Sequence, residues 1–397
     1  MDSSSQTNET PIVVIAYNRD KALQRLLTSL ASADYAGHTD IPLIISIDQS
    51  ENGDVLKTVQ AFVWPYGEKR IITHEKRLGL KQHVLECGDH SKAYGSVILL
   101  EDDLFVSRDF YHYTVSALRF TENDGKVGGI SLYNHLLNVH VREPFFAVED
   151  GFDNYYMQFA SSWGQAYTKK QWEGFTAWLQ DRKDMALTSP DIPENVRKWS
   201  DSSWLKYNIA YLIEKDMYFL YPRSSLTTNF MSAGEHSGAE SHDLQVPVGI
   251  FAGKDYRFGS LQGSKSRYDA FFENMGLKTV LSERFSVPEE ETCIDLYGYR
   301  TETGEGESSG RFSYLLSSRA LPRKILHSYA RALRPIDANI LYDRAGNDFF
   351  LYSLKEKGEA PRVDMDGRVL YNYRALNVKK MIRVLRRQVC LRLPRLK

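Results

Sequence analysis

The stretch Ser96-Val97-Ile98-Leu99-Leu100-Glu101-Asp102-Asp103-Leu104-Phe105 constrains this chain more than any other. A short, wholly apolar run is the mark of a strand buried on both faces, as in a mostly parallel sheet. It stops on three consecutive carboxylates. Charges so crowded are costly inside a protein unless they are paired or hold a metal. In open α/β sheets, ligands bind at the ends of the strands. A triplet of acids there suits a hard divalent cation, which prefers oxygen ligands and in turn grips a phosphate. The plain alternative is a solvated turn that happens to carry acids.

The residues before this stretch repeat one pattern. Pro11-Ile12-Val13-Val14-Ile15-Ala16-Tyr17-Asn18-Arg19 reads as an apolar strand ending in polar residues, and Ala22, Leu23, Leu26, Leu27 and Leu30 follow at helical spacing. Ile41 to Asp48 is a second buried strand with an acid at its carboxyl end, followed by a helical pattern through Val55, Val59 and Phe62. Lys69 to His74 is a short third strand, and residues 79–94 read as helix. Strands alternating with helices predict a doubly wound α/β fold, a mostly parallel central sheet flanked by helices and joined by right-handed crossovers. No Gly-x-Gly-x-x-Gly follows the first strand and there is no Walker A sequence, so a nucleotide must be held by side chains and metal.

Past the acids, Ser107 is expected to cap a helix through Phe110, Tyr113, Ala117 and Leu118. Val127 to Tyr133 reads as a strand, and residues 145–163 read as a loop-like pocket wall ending in Ala160-Ser161-Ser162-Trp163-Gly164. Helices are expected over Lys169–Leu179 and within 199–217, then a strand at Tyr218–Pro222 and a loop from Ser225 to Gly238. Residues 1–10 read as a disordered amino terminus and 11–300 as the main domain. Residues 301–335 read as a linker and helical segment, and 336–397 as a C-terminal extension with a basic amphipathic tail. From Arg374 on there are nine Lys or Arg and no acid, a pattern that fits an anionic membrane surface or a solvated helix packing one face on the domain.

A net charge of -1 argues against a nucleic-acid-binding protein. Cys87, Cys293 and Cys390 lie far apart without metal spacing, which fits a reducing compartment. The polar Met1-Asp2-Ser3-Ser4-Ser5-Gln6 carries no positive n-region or apolar h-region, so no signal peptide is expected, and no apolar stretch approaches the roughly 20 residues that span a bilayer. The expected location is cytoplasmic, with peripheral contact at the inner membrane face. The 24 tyrosines are expected to be mostly core and rim residues rather than sugar platforms.

The order of these motifs, from about residue 11 to 240, resembles the GT-A (Rossmann-like) nucleotide-diphospho-sugar transferases, in particular the N-acetylglucosaminyltransferase I type and its bacterial relatives. The residues that carry the likeness are the opening strand to Arg19, Asp48, Glu101-Asp102-Asp103 with Asp109-Phe110, Ser162-Trp163-Gly164, the Asp201–Trp204 stretch, and Leu226-Thr227-Thr228-Asn229 with Gly234-Glu235-His236. The resemblance implies a nucleotide-sugar donor, a UDP-sugar first, with Mn2+ or Mg2+ and inversion at the anomeric carbon. It implies Asp103 as direct metal ligand, Glu101 and Asp102 on the sugar and ribose, Asp48 on the uracil and Arg19 near the nucleotide. It further implies Asp201 as general base. This chain departs from the family in holding Ser202 and Ser203 directly before Trp204, where the family has adjacent acids.

The residues themselves add candidates. His236 is weighed as a second metal ligand against a solvated loop histidine, and Trp163 and Trp204 as donor or acceptor contacts against core residues. Asp153 and Glu235 stand in reserve as bases, and His83 reads as a packed helix histidine. The expected reaction is transfer to a hydroxyl of a glycan or lipid-linked glycan. Two alternatives remain open from sequence: a sugar-1-phosphate nucleotidyltransferase, whose Gly-x-Gly-Thr-Arg segment is replaced here by Tyr17-Asn18-Arg19-Asp20, and a non-catalytic glycan-binding protein that keeps the fold.

Overall fold

The computed structural model describes residues 9–182, 186–230, 244–300, 311–373 and 377–392. At its centre β1 (Ile12–Ala16) lies between β2 (Leu43–Ile47) and β4 (Ser96–Glu101), parallel to both, and β3 (Lys69–Thr73) extends the row beyond β2. The apolar runs are continuous because both faces are covered. Along β1, Ile12, Val14 and Ala16 enter one core while Val13 and Ile15 enter the other. The first core is closed by Leu23, Leu26, Leu27 and Leu30 of helix α1 (Asp20–Ala31), whose spacing turns one stripe onto the sheet.

The sheet continues past β4 with an antiparallel strand, Gln165–Thr168, then β6 (Val127–Ser131), Tyr218–Pro222 and Asn154–Met157, and has nine strands in all. A short ribbon stands outside it: β5 (Leu104–Val106), directly after the acids, pairs antiparallel with Thr227–Asn229. This ribbon replaces the loop expected at 225–230. Likewise the wall expected to be loop at 145–163 contains the fully buried strand Asn154–Met157. The helix expected over 79–94 is two, α3 (Leu80–Gly88) and a single turn at Ser91–Tyr94. The tyrosines are core residues as expected: Tyr111, Tyr113, Tyr155, Tyr156, Tyr167 and Tyr221 are at most 1% exposed.

The carboxyl-terminal part differs from its expected outline. The described residues of 311–335 contain strands at Tyr314–Ser317 and Arg323–Tyr329 rather than a helix. With Thr292–Asp295 and Phe349–Lys357 they form a four-stranded sheet, so pairing reaches back across residue 300. Tyr329, Ile336, Phe349 and Leu351 belong to the same apolar core as Trp172, Tyr155 and Phe219 of the main sheet, so this sheet is packed onto the first domain. Helix Met365–Asn372 follows, and then helix Val378–Arg392.

A candidate sugar-nucleotide site at the carboxyl edge of the sheet

Parallel strands deliver their carboxyl ends to one edge, and the polar residues that follow β1, β2 and β4 meet there. Glu101 closes β4, and Asp102 and Asp103 form the tight turn into β5. The Asp102 N–H donates to Ile15 O (3.1 Å), which ties the turn to β1. Arg19, the residue before α1, crosses to the acids: one guanidinium nitrogen bonds Asp103 Oδ2 at 3.0 Å and another bonds Asp102 Oδ1. Burial works against the Arg19 charge, but Asp102 and Asp103 more than offset it and raise its pKa. Burial raises Asp102 to about 6 in spite of Arg19. Burial, then Asp103 and Asp102, hold Glu101 well above the usual carboxylate range. Three acids thus share one guanidinium, which leaves the turn short of positive charge.

Asp103 is 9% exposed, and its Oδ1 is buried with no hydrogen-bond partner among the described residues. Asn229 lies opposite Leu104 in the ribbon and presents a buried oxygen, Oδ1, that also has no partner among the described residues. Buried acceptors of this kind are uncommon and call for a cation, a water or a ligand. Among the described residues no three His, Cys, Asp or Glu side chains converge as a metal site. A divalent cation fits at Asp103, since an oxygen donor is what such ions take, and most of the remaining coordination would fall to a bound diphosphate and water. His236 lies outside the described residues, as do Gly234 and Glu235.

Asp48 sits at the end of β2 with 4% exposure. Its carboxylate accepts three backbone N–H groups, from Gln49 (2.9 Å), Leu78 (2.8 Å) and Gly79 (3.0 Å). It therefore pins the turn that leads into α3, a role the sequence reading did not foresee. Behind it, Ser46 Oγ bonds both His83 Nε2 (2.7 Å) and His74 Nε2 (3.0 Å), which makes His83 a packed histidine as expected. The Arg77 guanidinium lies over the Tyr17 ring at 4.8 Å, beside the same turn.

Trp163 enters from the antiparallel strand next to β4. Gly164 has φ +88°, and a Cβ there would meet Thr227 Cγ2 at 2.7 Å, so glycine alone lets the chain pass the ribbon so closely. The Trp163 ring is half-buried against Tyr133 (centroids 4.7 Å apart) and His135 (5.8 Å). Trp204 is 1% exposed and belongs to the core, so it offers no face to a sugar.

Asp201 lies just before helix Trp204–Glu214, whose first turn is capped by Ser203. Its side chain is 90% exposed, with Oδ1 held by Lys206 Nζ at 2.6 Å. The hydrogen bond from Lys206 and its charge lower the Asp201 pKa. Lys206 is itself buried and also donates to Trp199 O (2.9 Å), so it is a fixed ammonium aimed at this carboxylate. Lys81, in the first turn of α3, donates to Asp201 O (3.3 Å), which brings Asp201 to the end of α3 that Asp48 pins. Of the reserve bases, Asp153 is engaged by Lys254 and by the Arg257 N–H (2.8 Å). Ser107 is not the cap of helix Phe110–Thr121: Asp109 takes that position, and its carboxylate reaches across to Gly253 N–H (2.6 Å) and Tyr256.

The structure thus combines a nine-stranded, mostly parallel sheet with acids on its carboxyl edge, and the sequence holds no glycine-rich phosphate loop. Residues 12–205, just under half of the chain, match the family model described as Glycosyl transferase family 2. No curated protein matches the sequence. Solved structures that the chain matches include the mannosyltransferase PcManGT of Pyrobaculum calidifontis in complex with GDP-Man and Mn2+, at 14% identity over 55% of this chain and 58% of that one, TM-score 0.34. They also include S. aureus TarS 1-349 in complex with UDP-GlcNAc (16% identity, 57% and 60% of the two chains, TM-score 0.36). GalNAc-T7 with UDP, GalNAc and Mn2+ is a third (12%, 56% and 43%, TM-score 0.38). The chain therefore spans about three fifths or less of each of these neighbours.

Proposed function

We propose that the protein is an inverting, metal-dependent transferase that moves a sugar from a nucleotide-sugar donor, a UDP-sugar first, to a hydroxyl of a glycan or lipid-linked glycan on the cytoplasmic side of a membrane. The observation that carries the reading is the acid turn, in which a buried Asp103 oxygen has no partner among the described residues, while Asp102 and Asp103 share Arg19 beside Glu101. Asp103 would hold Mn2+ or Mg2+ through this oxygen, with His236 as the proposed second protein ligand. When bound, the ion would supply Lewis-acid stabilisation of the departing diphosphate.

This chain's own residues divide the remaining work. Arg19 is poised to exchange one anion for another, turning from the carboxylates toward the diphosphate as charge builds there. Glu101 and Asp102 would orient the sugar and ribose hydroxyls. Asp48 would border the base; three of its roughly four acceptor sites are filled by backbone N–H groups, which leaves one for a base N–H. Trp163 would flank the donor. Asp201, a carboxylate at neutral pH that Lys206 holds in place, would take the acceptor's hydroxyl proton on Oδ2, since Oδ1 is engaged. The acceptor oxygen then bonds the anomeric carbon as the bond to the phosphate oxygen breaks on the opposite face, so no covalent nucleophile is needed.

The test is release of nucleoside diphosphate from a panel of nucleotide sugars, with and without EDTA, by the parent and by Asp103→Asn. The reading requires release that EDTA abolishes and that the variant loses while keeping its melting temperature. Release at the parental rate by the variant refutes it.

A further inference from the structure

Among the described residues, nothing packs against the last described helix. Every side chain described in Val378–Arg392 is exposed, including Val378 at 69%, Ile382 at 46%, Val384 at 59%, Leu385 at 60% and Val389 at 55%. Val378, Ile382, Leu385 and Val389 recur at i, i+4, i+7 and i+11 and so line one stripe. Lys379, Arg383 and Arg386 form the next stripe round the helix, and residues 378–392 hold six Lys or Arg with no Asp or Glu. The expectation that such a helix packs one face on the domain is not met among the described residues.

The segment ahead of it is fastened to the body. In helix Met365–Asn372, Arg368 bonds Glu143 Oε1 through Nη2 (2.8 Å) and Nε (3.1 Å), and also donates to Tyr297 O (3.1 Å). Tyr371 is buried and donates to Leu333 O, while Tyr373 donates to Arg142 O (3.0 Å). With that inner face engaged, Met365 (60%), Val369 (50%) and Leu370 (62%) are left exposed. Asn377 then starts the basic helix: its Oδ1 accepts from Lys379 N–H (3.0 Å) and its carbonyl from Met381 N–H (2.9 Å).

We propose that helix 378–392 is an interfacial anchor that lies on an anionic phospholipid surface, its apolar stripe in the acyl boundary and its lysines and arginines at the headgroups. Charge decides the occupant. A nucleic acid would use the cations but leave the apolar stripe in water, whereas an anionic bilayer satisfies both stripes at once. Long basic side chains beside the stripe can lay their stems along it and keep their charges at the headgroups. No helix among the described residues is long and apolar enough to cross a membrane, so the contact is one of lying on the surface rather than spanning it. The anchor stands apart from the transfer chemistry: vesicle binding requires no donor, and donor binding requires no vesicle.

The experiment is co-sedimentation of the full-length protein with phosphatidylcholine vesicles, with and without a fraction of phosphatidylglycerol, at low and at physiological salt. The parent is expected to bind only the anionic vesicles, and less as salt rises. Arg383→Gln/Arg386→Gln should lower the partition coefficient on the order of 30-fold, since each basic residue near such a surface contributes about one kcal/mol. Leu385→Glu/Val389→Glu should abolish binding while leaving the melting temperature and donor binding unchanged. Failure of the parent to bind, equal binding to neutral vesicles, or undiminished binding by either variant overturns the proposal. So does a parental dimer in sedimentation velocity that Leu385→Glu/Val389→Glu dissociates, because a second copy would then cover the stripe.

Discussion

Replacing Arg19 by methionine keeps most of the side chain's volume and removes the one cation among the described residues that pairs with Asp102 and Asp103. Removing one partner of a buried ion pair costs about 3–5 kcal/mol, because the other charge is stranded. Arg19 is 27% exposed and Asp102 only 3%, so the low end of that range applies, about 3 kcal/mol. Part of the loss is recoverable, since the carboxylates still attract any cation that reaches them. Urea unfolding of parent and Arg19→Met in EDTA measures the cost, and the same curves in Mn2+ measure the recovery. The account expects a clear loss in EDTA and substantial recovery with the ion. A variant as stable as the parent, or a loss that the cation leaves untouched, refutes the reasoning that these acids lack positive charge.

Three further outcomes follow from the geometry. Asp48→Asn loses a charged acceptor for three backbone N–H groups and should destabilise the protein by about 2–3 kcal/mol in urea unfolding, with weaker donor binding. Asp201→Asn should lower kcat on the order of 10²–10⁴-fold in a steady-state assay while leaving the donor KM nearly unchanged. Burial lowers His83 to about 4, His140 to about 4 and His135 to about 3 from 6.5. These are bases with depressed folded values, so the unfolded chain takes up protons first. Their contribution to stability should be full above about pH 6.5 and be lost toward pH 4, by up to about 3 kcal/mol per histidine in urea titrations at stepped pH.

The third of the chain before residue 132 is legible in the sequence because its strands are buried on both faces. Aliphatic runs such as Ile12–Ala16 and Val97–Leu100 have no other use, and the acids that end them mark the ligand edge. The later part hides its strands. Asn154-Tyr155-Tyr156-Met157 lacks the aliphatic run of β1, and Arg323–Tyr329 alternates poorly because it lies half-exposed in a second sheet. In the site, Glu101, Asp102, Asp103 and Arg19 do converge, and the positive charge on the acids comes from within the chain. What one-dimensional spacing could not show were partners far apart in sequence. Asp109 spends its carboxylate on Gly253 and Tyr256, Asn229 comes beside the acid turn through the ribbon, and Asp48 is filled by the backbone of Leu78 and Gly79. Lys206 gave one available signal, a lysine two residues into a largely apolar helix and five residues after Asp201.

The central claim is that the Glu101–Asp103 turn binds a divalent cation together with the donor's diphosphate. Electron paramagnetic resonance of Mn2+ titrated with protein in the presence of UDP tests it most directly, because bound ion loses its free-solution signal. The account predicts that the parent removes that signal in proportion to protein only when UDP is present, and that Asp103→Asn does not. Ion binding by Asp103→Asn equal to the parent's, or tight nucleotide binding by the parent in EDTA, would contradict it.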